Sequence, residues 1–95
     1  VDGIKIQEPN RWDGKWRMVA FDIPEKRKNA RDALTSKLKE LGFYELQKSV
    51  FIYPFECRDE IDFVVEFYQM RLFVRTIEAT SIDNELHLKK KFDLL

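Results

Sequence analysis

The hydrophobic positions of this chain alternate between two periods, and the switches mark its elements. In Trp16-Arg17-Met18-Val19-Ala20-Phe21-Asp22-Ile23, every residue from Met18 to Phe21 is apolar. An apolar run on both sides of the pleat predicts a strand sheltered on both faces, over about Lys15 to Ile23. Pro24 then opens a helix, at a position where its missing N–H costs nothing, and Glu25 lies near the positive end of the helix dipole. Ala30, Ala33, Leu34, Leu38 and Leu41 fall on one side of a 3.6-residue turn, and Gly42 is a natural stop.

Residues 43–55 read as strand again. The segment is long for one strand, so it is expected to divide near Gln47-Lys48-Ser49 into a short second strand and a longer third one. A single bent strand is the other reading. Pro54 cannot donate to a ladder and ends the pairing. A second helix is expected over about Arg58 to Met70, with Ile61, Val64, Val65 and Tyr68 facing the core and Phe63 and Phe67 extending the stripe. Val74 to Ile82 is rich in β-branched residues and predicts a fourth strand. In the tail, Leu86 and Leu88 alternate like a strand, whereas Leu88, Phe92 and Leu95 are spaced like a helix. A short helix capped by Asp83 or Asn84 is the expectation.

The order β-α-β-β-α-β predicts an α+β fold of the ferredoxin-like kind. It has one four-stranded antiparallel sheet with two helices on one face, plus a short C-terminal element. Residues 15–95 form this domain. Residues 1–14, with turn signals at Glu8-Pro9-Asn10 and Asp13-Gly14, read as a linker or lead-in with Trp12 pinned onto the domain. Two helices shelter only one side of a sheet. The first strand offers Val19, Phe21 and Ile23 to one face and Trp16, Met18 and Ala20 to the other. The third offers Val50 and Ile52 to one face, and Phe51, Tyr53 and Phe55 to the other. The uncovered face is therefore expected to be apolar and aromatic, a patch of the kind that meets another protein surface. A two-fold homodimer packed sheet against sheet is the simplest arrangement, with Trp16, Met18, Phe51 and Tyr53 as interface candidates.

Composition sharpens this picture. Ninety-five residues make one domain, which buries about two-thirds of its unfolded surface. Two tryptophans, three tyrosines and eight phenylalanines are a heavy load for so small a core, which adds to the expectation of an aromatic outer surface. No apolar run approaches the roughly 20 residues of a membrane span, so no membrane partner is expected. The single cysteine, Cys57, excludes an internal disulfide and fits a reducing cytoplasm. With His87 it cannot fill a tetrahedral zinc site. Cys57 reads as a small buried residue, and His87 has no recognisable catalytic partner. Three glycines leave no phosphate-cradling loop.

Net charge is zero, but unevenly placed. Residues 25–41 are basic and residues 56–66 acidic. Two solvated helix faces that attract one another are one reading. The other is a basic edge for phosphates, with Lys26, Arg27, Lys28 and Arg31 as nucleic-acid-binding candidates beside a helix start. A neutral domain does not suit strong autonomous DNA binding. Trp12 and Trp16, interleaved with Arg11, Lys15 and Arg17, read as packing residues, with base stacking as the alternative.

Asp22 is the one candidate for metal-assisted chemistry. It either caps helix-start amides or pairs with a nearby cation, or it is a ligand. One Asp22 from each subunit of a dimer could hold a magnesium ion that activates a water and offsets phosphate charge. Outside that alternative no cofactor is expected.

The strand ending in Asp22-Ile23-Pro24, the basic helix start and Leu46-Gln47-Lys48-Ser49-Val50-Phe51 resemble CRISPR-associated protein two, a ferredoxin-like subunit often described as a metal-dependent endonuclease. The match to the central domain of PaaX-type (phenylacetic-acid repressor) transcription regulators is fuller. It adds Trp12-Asp13-Gly14-Lys15-Trp16-Arg17, Leu41-Gly42-Phe43 and the strand from Ser49 to Phe55. That resemblance implies a dimerisation or regulatory domain that reaches DNA mainly through an upstream winged helix, with Val1 to Arg11 as the remaining linker. Glu45 stands where the CRISPR family usually has a basic residue, and Ile52 where it has an acidic one. Both departures weaken the nuclease and nucleic-acid alternatives, although Asp22 itself is retained.

Overall fold

The computed structural model describes residues 3–95. The first strand, β1, is Trp16–Phe21, and a 3-10 turn at Glu25–Arg27 leads into α1, Lys28–Glu40. Two further strands follow as a hairpin: β2, Tyr44–Gln47, and β3, Val50–Tyr53. Helix α2 is Arg58–Phe67; a 3-10 turn at Arg71–Phe73 precedes β4, Val74–Ala79; and the tail forms α3, Glu85–Lys91. The fold class is as expected, with four antiparallel strands in one open sheet ordered β2-β3-β1-β4. The first two residues of the expected lead-in, Val1 and Asp2, lie outside the described residues.

Local chemistry accounts for the element ends. Gly42 closes α1 at φ 105°, where a side chain would be strained. A Cβ there would also come within 3.0 Å of the Tyr53 ring. The N–H of Phe43 donates back to the carbonyl of Leu38 at 3.0 Å and satisfies one of the helix's last acceptors. The segment 43–55 divides at Lys48-Ser49, with Ser49 at φ 63°, so the two-strand reading holds over the single bent strand, but both strands are 4 residues long rather than the third being longer.

Register decides which faces of β1 and β3 coincide. Val19 pairs with Phe51 and Met18 with Ile52. Paired residues project from the same side of a ladder. Val19, Phe21, Phe51, Tyr53 and Val74 therefore share the face beneath the helices. There they meet Leu34 and Leu38 of α1 and Ile61, Val64 and Val65 of α2. Phe63 and Phe67 do not extend the α2 stripe: they are 53% and 55% exposed. Roughly 100° per residue puts them about 200° and 240° around from Ile61, on the outer side of the helix.

The opposite face carries Trp16, Met18, Ala20 and Ile52, and α3 lies across part of it. Leu88 of α3 packs with Trp16 and Ile52 in a second buried cluster. The indole N–H of Trp16 donates to Glu85 Oε1 at 2.9 Å, so its one polar atom is satisfied in place. Trp12 packs on Trp16 with ring centroids 4.8 Å apart.

Three of the four interface candidates are thereby corrected. Phe51 and Tyr53 lie under α1 and α2, and Trp16 lies under α3; all three are buried within their own chain. Alternation alone gave each strand two faces but not their match across the ladder, and a short helix in the tail had not been placed over either. Met18 alone stays half-buried on the partly open face.

Docking of α3 is testable by chemical denaturation. Leu88→Ala should cost about 2–5 kcal/mol, as expected for a fully buried leucine. The exposed neighbour substitution Leu86→Ala should stay within about 0.5 kcal/mol. Equal small losses would mean that α3 does not shelter Trp16.

Candidate interaction face and the Asp22 strand end

Beyond α3, the sheet's second face forms a shallow groove of about 920 Å³. Met18 and Ala20 come from β1, Leu46 and Val50 from the hairpin, and Ile77 and Ile82 from β4 and the turn after it. Ile77 is 42% exposed, and the others are half-buried. The strands position these side chains by alternation: Met18 pairs with Ile77 on one side and Ile52 on the other. His87 lies at the rim, its ring edge-on to Tyr44 at 5.7 Å.

Asp22 follows the last residue of β1 and is exposed. Its backbone N–H donates to the carbonyl of Phe73 at 3.0 Å, which continues the β1–β4 pairing by one residue. The carboxylate has no hydrogen bond or ion pair to a side chain among the described residues, and the turn starting at Glu25 has no side-chain cap. Neither ordinary role expected of Asp22 is realised. The carboxylate lines an open groove together with Arg71 and Arg75. No cluster of three or more His, Cys, Asp or Glu suited to a metal occurs among the described residues. Of the two arginines, Arg71 turns its guanidinium to Asp62 at 3.1 Å and Glu66 at 3.5 Å. One chain therefore offers a magnesium ion a single carboxylate at this strand end.

The four basic candidates do not converge on one phosphate-sized cradle. Arg27 donates from Nη2 to the carbonyl of Tyr68 at 3.0 Å and from Nη1 to that of Gln69 at 2.9 Å. Tyr68 is the C-cap of α2, so Arg27 supplies donors to carbonyls left over where that helix ends. Its guanidinium also lies 5.6 Å over the Phe73 ring. Arg31 pairs with Glu25 at 3.3 Å and approaches Asp32 at 3.8 Å. Lys26 and Lys28 are exposed and have no ion pair among the described residues.

Sequence reasoning missed the clamp formed by Asp13 and Arg17. Nη1 and Nη2 of Arg17 donate to Oδ1 and Oδ2 of Asp13 at 2.9 and 2.6 Å, a bidentate pair. Nη1 also donates to the carbonyls of Lys15 and Pro54 at 3.1 and 2.9 Å. The lead-in is thus tied to β1 and to the end of β3, while Ile4 and Ile6 pack against the main core. The i,i+4 spacing was visible, but outside a helix it implies no contact. The hydrogen bond from Arg17 holds Asp13 down at about 2. Burial is the first cause of the opposite shift in Cys57, whose thiol is pushed up to about 12 and stays protonated.

The geometry defines a class: a ferredoxin-like α+β domain, layered with helices on one face and half-sheltered on the other. The family model described as "PaaX protein central Cas2-like domain" matches residues 9–90, and the chain belongs to that family. Comparison with curated proteins gave no match, and neither did comparison with solved structures. None of the described helices is long and apolar enough to cross a membrane.

Two substitutions separate structural from ligand-binding roles. Arg27→Ala should lower stability by about 1–2 kcal/mol, through loss of two charge-assisted hydrogen bonds at the half-exposed end of α2. Lys26→Ala should change it by no more than about 0.5 kcal/mol. Asp13 has a depressed folded-state value, so its stabilisation is present above the unfolded value near 3.8 and is lost as pH falls toward about 2. A pH series followed by tryptophan fluorescence should show Trp12 and Trp16 loosening in that window, and Asp13→Asn should remove that transition.

Proposed function

We propose that this chain is the dimerisation and regulatory domain of a PaaX-like transcription regulator. It performs no chemistry of its own and acts in the cytoplasm. It reaches DNA mainly through an upstream winged-helix segment, and its role is to set the spacing and symmetry of two such heads. The observation that supports this reading is the half-sheltered sheet face. Met18, Ala20, Leu46, Val50, Ile77 and Ile82 form an apolar strip along a groove that Gln47, Ser81, Asp83, Asn84 and His87 border, in a domain whose other sheet face is already covered. A second copy related by a two-fold axis presents the same groove, so each apolar strip covers the other. Helix α3 lies beside the groove and limits how far the two sheets overlap. Family membership supplies the regulatory context, and the partner surface now rests on Met18 and Ile77 rather than on Phe51 or Tyr53.

The magnesium-dependent endonuclease is the weaker alternative. Its one favourable feature is the exposed Asp22 carboxylate, and no group of three or more metal-ligating side chains forms around it among the described residues.

Sedimentation velocity tests the dimer. The unmodified chain should sediment as a dimer, and Ile77→Asp should weaken association by about 100-fold or more, because a carboxylate would be buried without a partner. Phe63→Asp, on the outer side of α2, should leave the dimer intact. A monomer at high concentration, or equal effects of the two substitutions, would overturn the proposal.

A further inference from the structure

Phe63 and Phe67 stand on the outer side of α2, where an amphipathic surface helix normally carries polar residues. They are 53% and 55% exposed, and their ring centroids are 6.3 Å apart. Tyr68 adds a third ring, edge-on to Phe67 at 5.1 Å. A single exposed apolar residue calls for no explanation, but a contiguous row of rings does. The row is also held firmly. Ile61, Val64 and Val65 are buried on the inner side of the same helix, and Arg27 ties down the carbonyls at its end. A surface fixed beforehand loses little entropy when something docks on it.

The charges beside the rings define the occupant. At about 100° per residue, Asp59 and Glu66 lie roughly 40° and 60° from Phe63 on one side of the row. Glu60 lies about 20° beyond Phe67 on the other. Arg71 pairs with Asp62 at 3.1 Å and Glu66 at 3.5 Å. Asp59 and Glu60 have no ion pair among the described residues. The rings are thus bordered by carboxylates on both sides. Bases stacked there would bring phosphates against those carboxylates, and so would an anionic membrane surface. A ridge of i,i+4 side chains on one helix seats in the groove of another. The matching occupant is therefore a helix whose apolar stripe is flanked by Lys or Arg. A second copy of this chain offers none among its described helices. The exposed positions of α1 are all polar, and α3 presents only Leu86 in 7 residues.

We propose that the outer face of α2 docks a basic amphipathic helix of a protein partner. Phe63 and Phe67 enter the partner's apolar groove, and Asp59 and Glu60 meet its cations at the rim, so that charge selects the partner. Helix α2 lies on the opposite side of the sheet from the Met18–Ile77 groove, so this face stays open whether or not the chain dimerises there.

The test titrates the full chain with a synthetic helical peptide of about 20 residues, whose leucine stripe is flanked by lysines. A second peptide carries glutamate at every lysine position, and a third scrambles the order of the first. The lysine peptide should bind saturably, with a Kd of about 10 μM or tighter at low salt, and weaken as salt rises. Amide shifts in the ¹⁵N-labelled chain should centre on residues 59–67 and spare Met18 and Ile77. Phe63→Ala with Phe67→Ala should weaken binding about tenfold or more, and Asp59→Asn with Glu60→Gln about threefold. Both double variants should keep the denaturation midpoint of the unmodified chain. The glutamate and scrambled peptides should bind at least about tenfold more weakly. Absence of saturable binding, equal binding of either control peptide, or shifts centred on Met18 and Ile77 would overturn the proposal. So would undiminished binding to the Phe63→Ala, Phe67→Ala variant. Loss of self-association in that variant would assign the face to a second copy and overturn it as well.

Discussion

Met18 and Val19 are neighbours on the central strand and must be sheltered on opposite sides of one sheet. Everything else in the structure answers that constraint. A strand apolar on both faces cannot rest in a two-layer domain with one face wet. Helices α1 and α2 shelter Val19 and the side chains registered with it. The chain then uses its last helix on the other side, where Leu88 closes over Trp16 and Ile52. Helix α3 is only 7 residues long and does not reach the whole face. The strip around Met18 and Ile77 is what it leaves.

The arginines act mostly inside the fold. Arg27 joins the segment before α1 to the end of α2, satisfying carbonyls that the helix cannot satisfy itself. Arg17 ties the lead-in to β1 and to the close of β3. Planar guanidinium groups suit this work because each can engage several acceptors in fixed directions. Clusters of basic residues in a sequence suggest phosphate contacts. Here the most prominent cluster is divided between an interhelical joint, a local ion pair and two exposed lysines. Arg71 is likewise held inside the fold, by Asp62 and Glu66 of α2.

Several features were legible from side-chain order alone. The β-α-β-β-α-β succession followed from changes of hydrophobic period, and the hairpin at Lys48-Ser49 from the length of the strand-like run. The α1 stop followed from Gly42, and the tail helix from the spacing of Leu88, Phe92 and Leu95. The family resemblance rested on motifs spread along the same segments. The candidate site was less legible. Phe63 and Phe67 looked like additions to the α2 core stripe, yet they project outward. The Asp13–Arg17 clamp gave no periodic signal, because an ion pair in irregular backbone has no fixed spacing.

The sequence by itself determined which segments would be strand or helix, because period and turn chemistry act over a few neighbouring residues. It also determined that β1 would need cover on both sides. Only the tertiary structure decided that Phe51 and Tyr53 share a face with Val19 rather than with Met18, since cross-strand register sets that match. It alone decided that α3 would shelter Trp16 and leave Ile77 open. Where a terminal helix docks is fixed by the surface still uncovered once the other elements have packed, and no local pattern encodes that remainder.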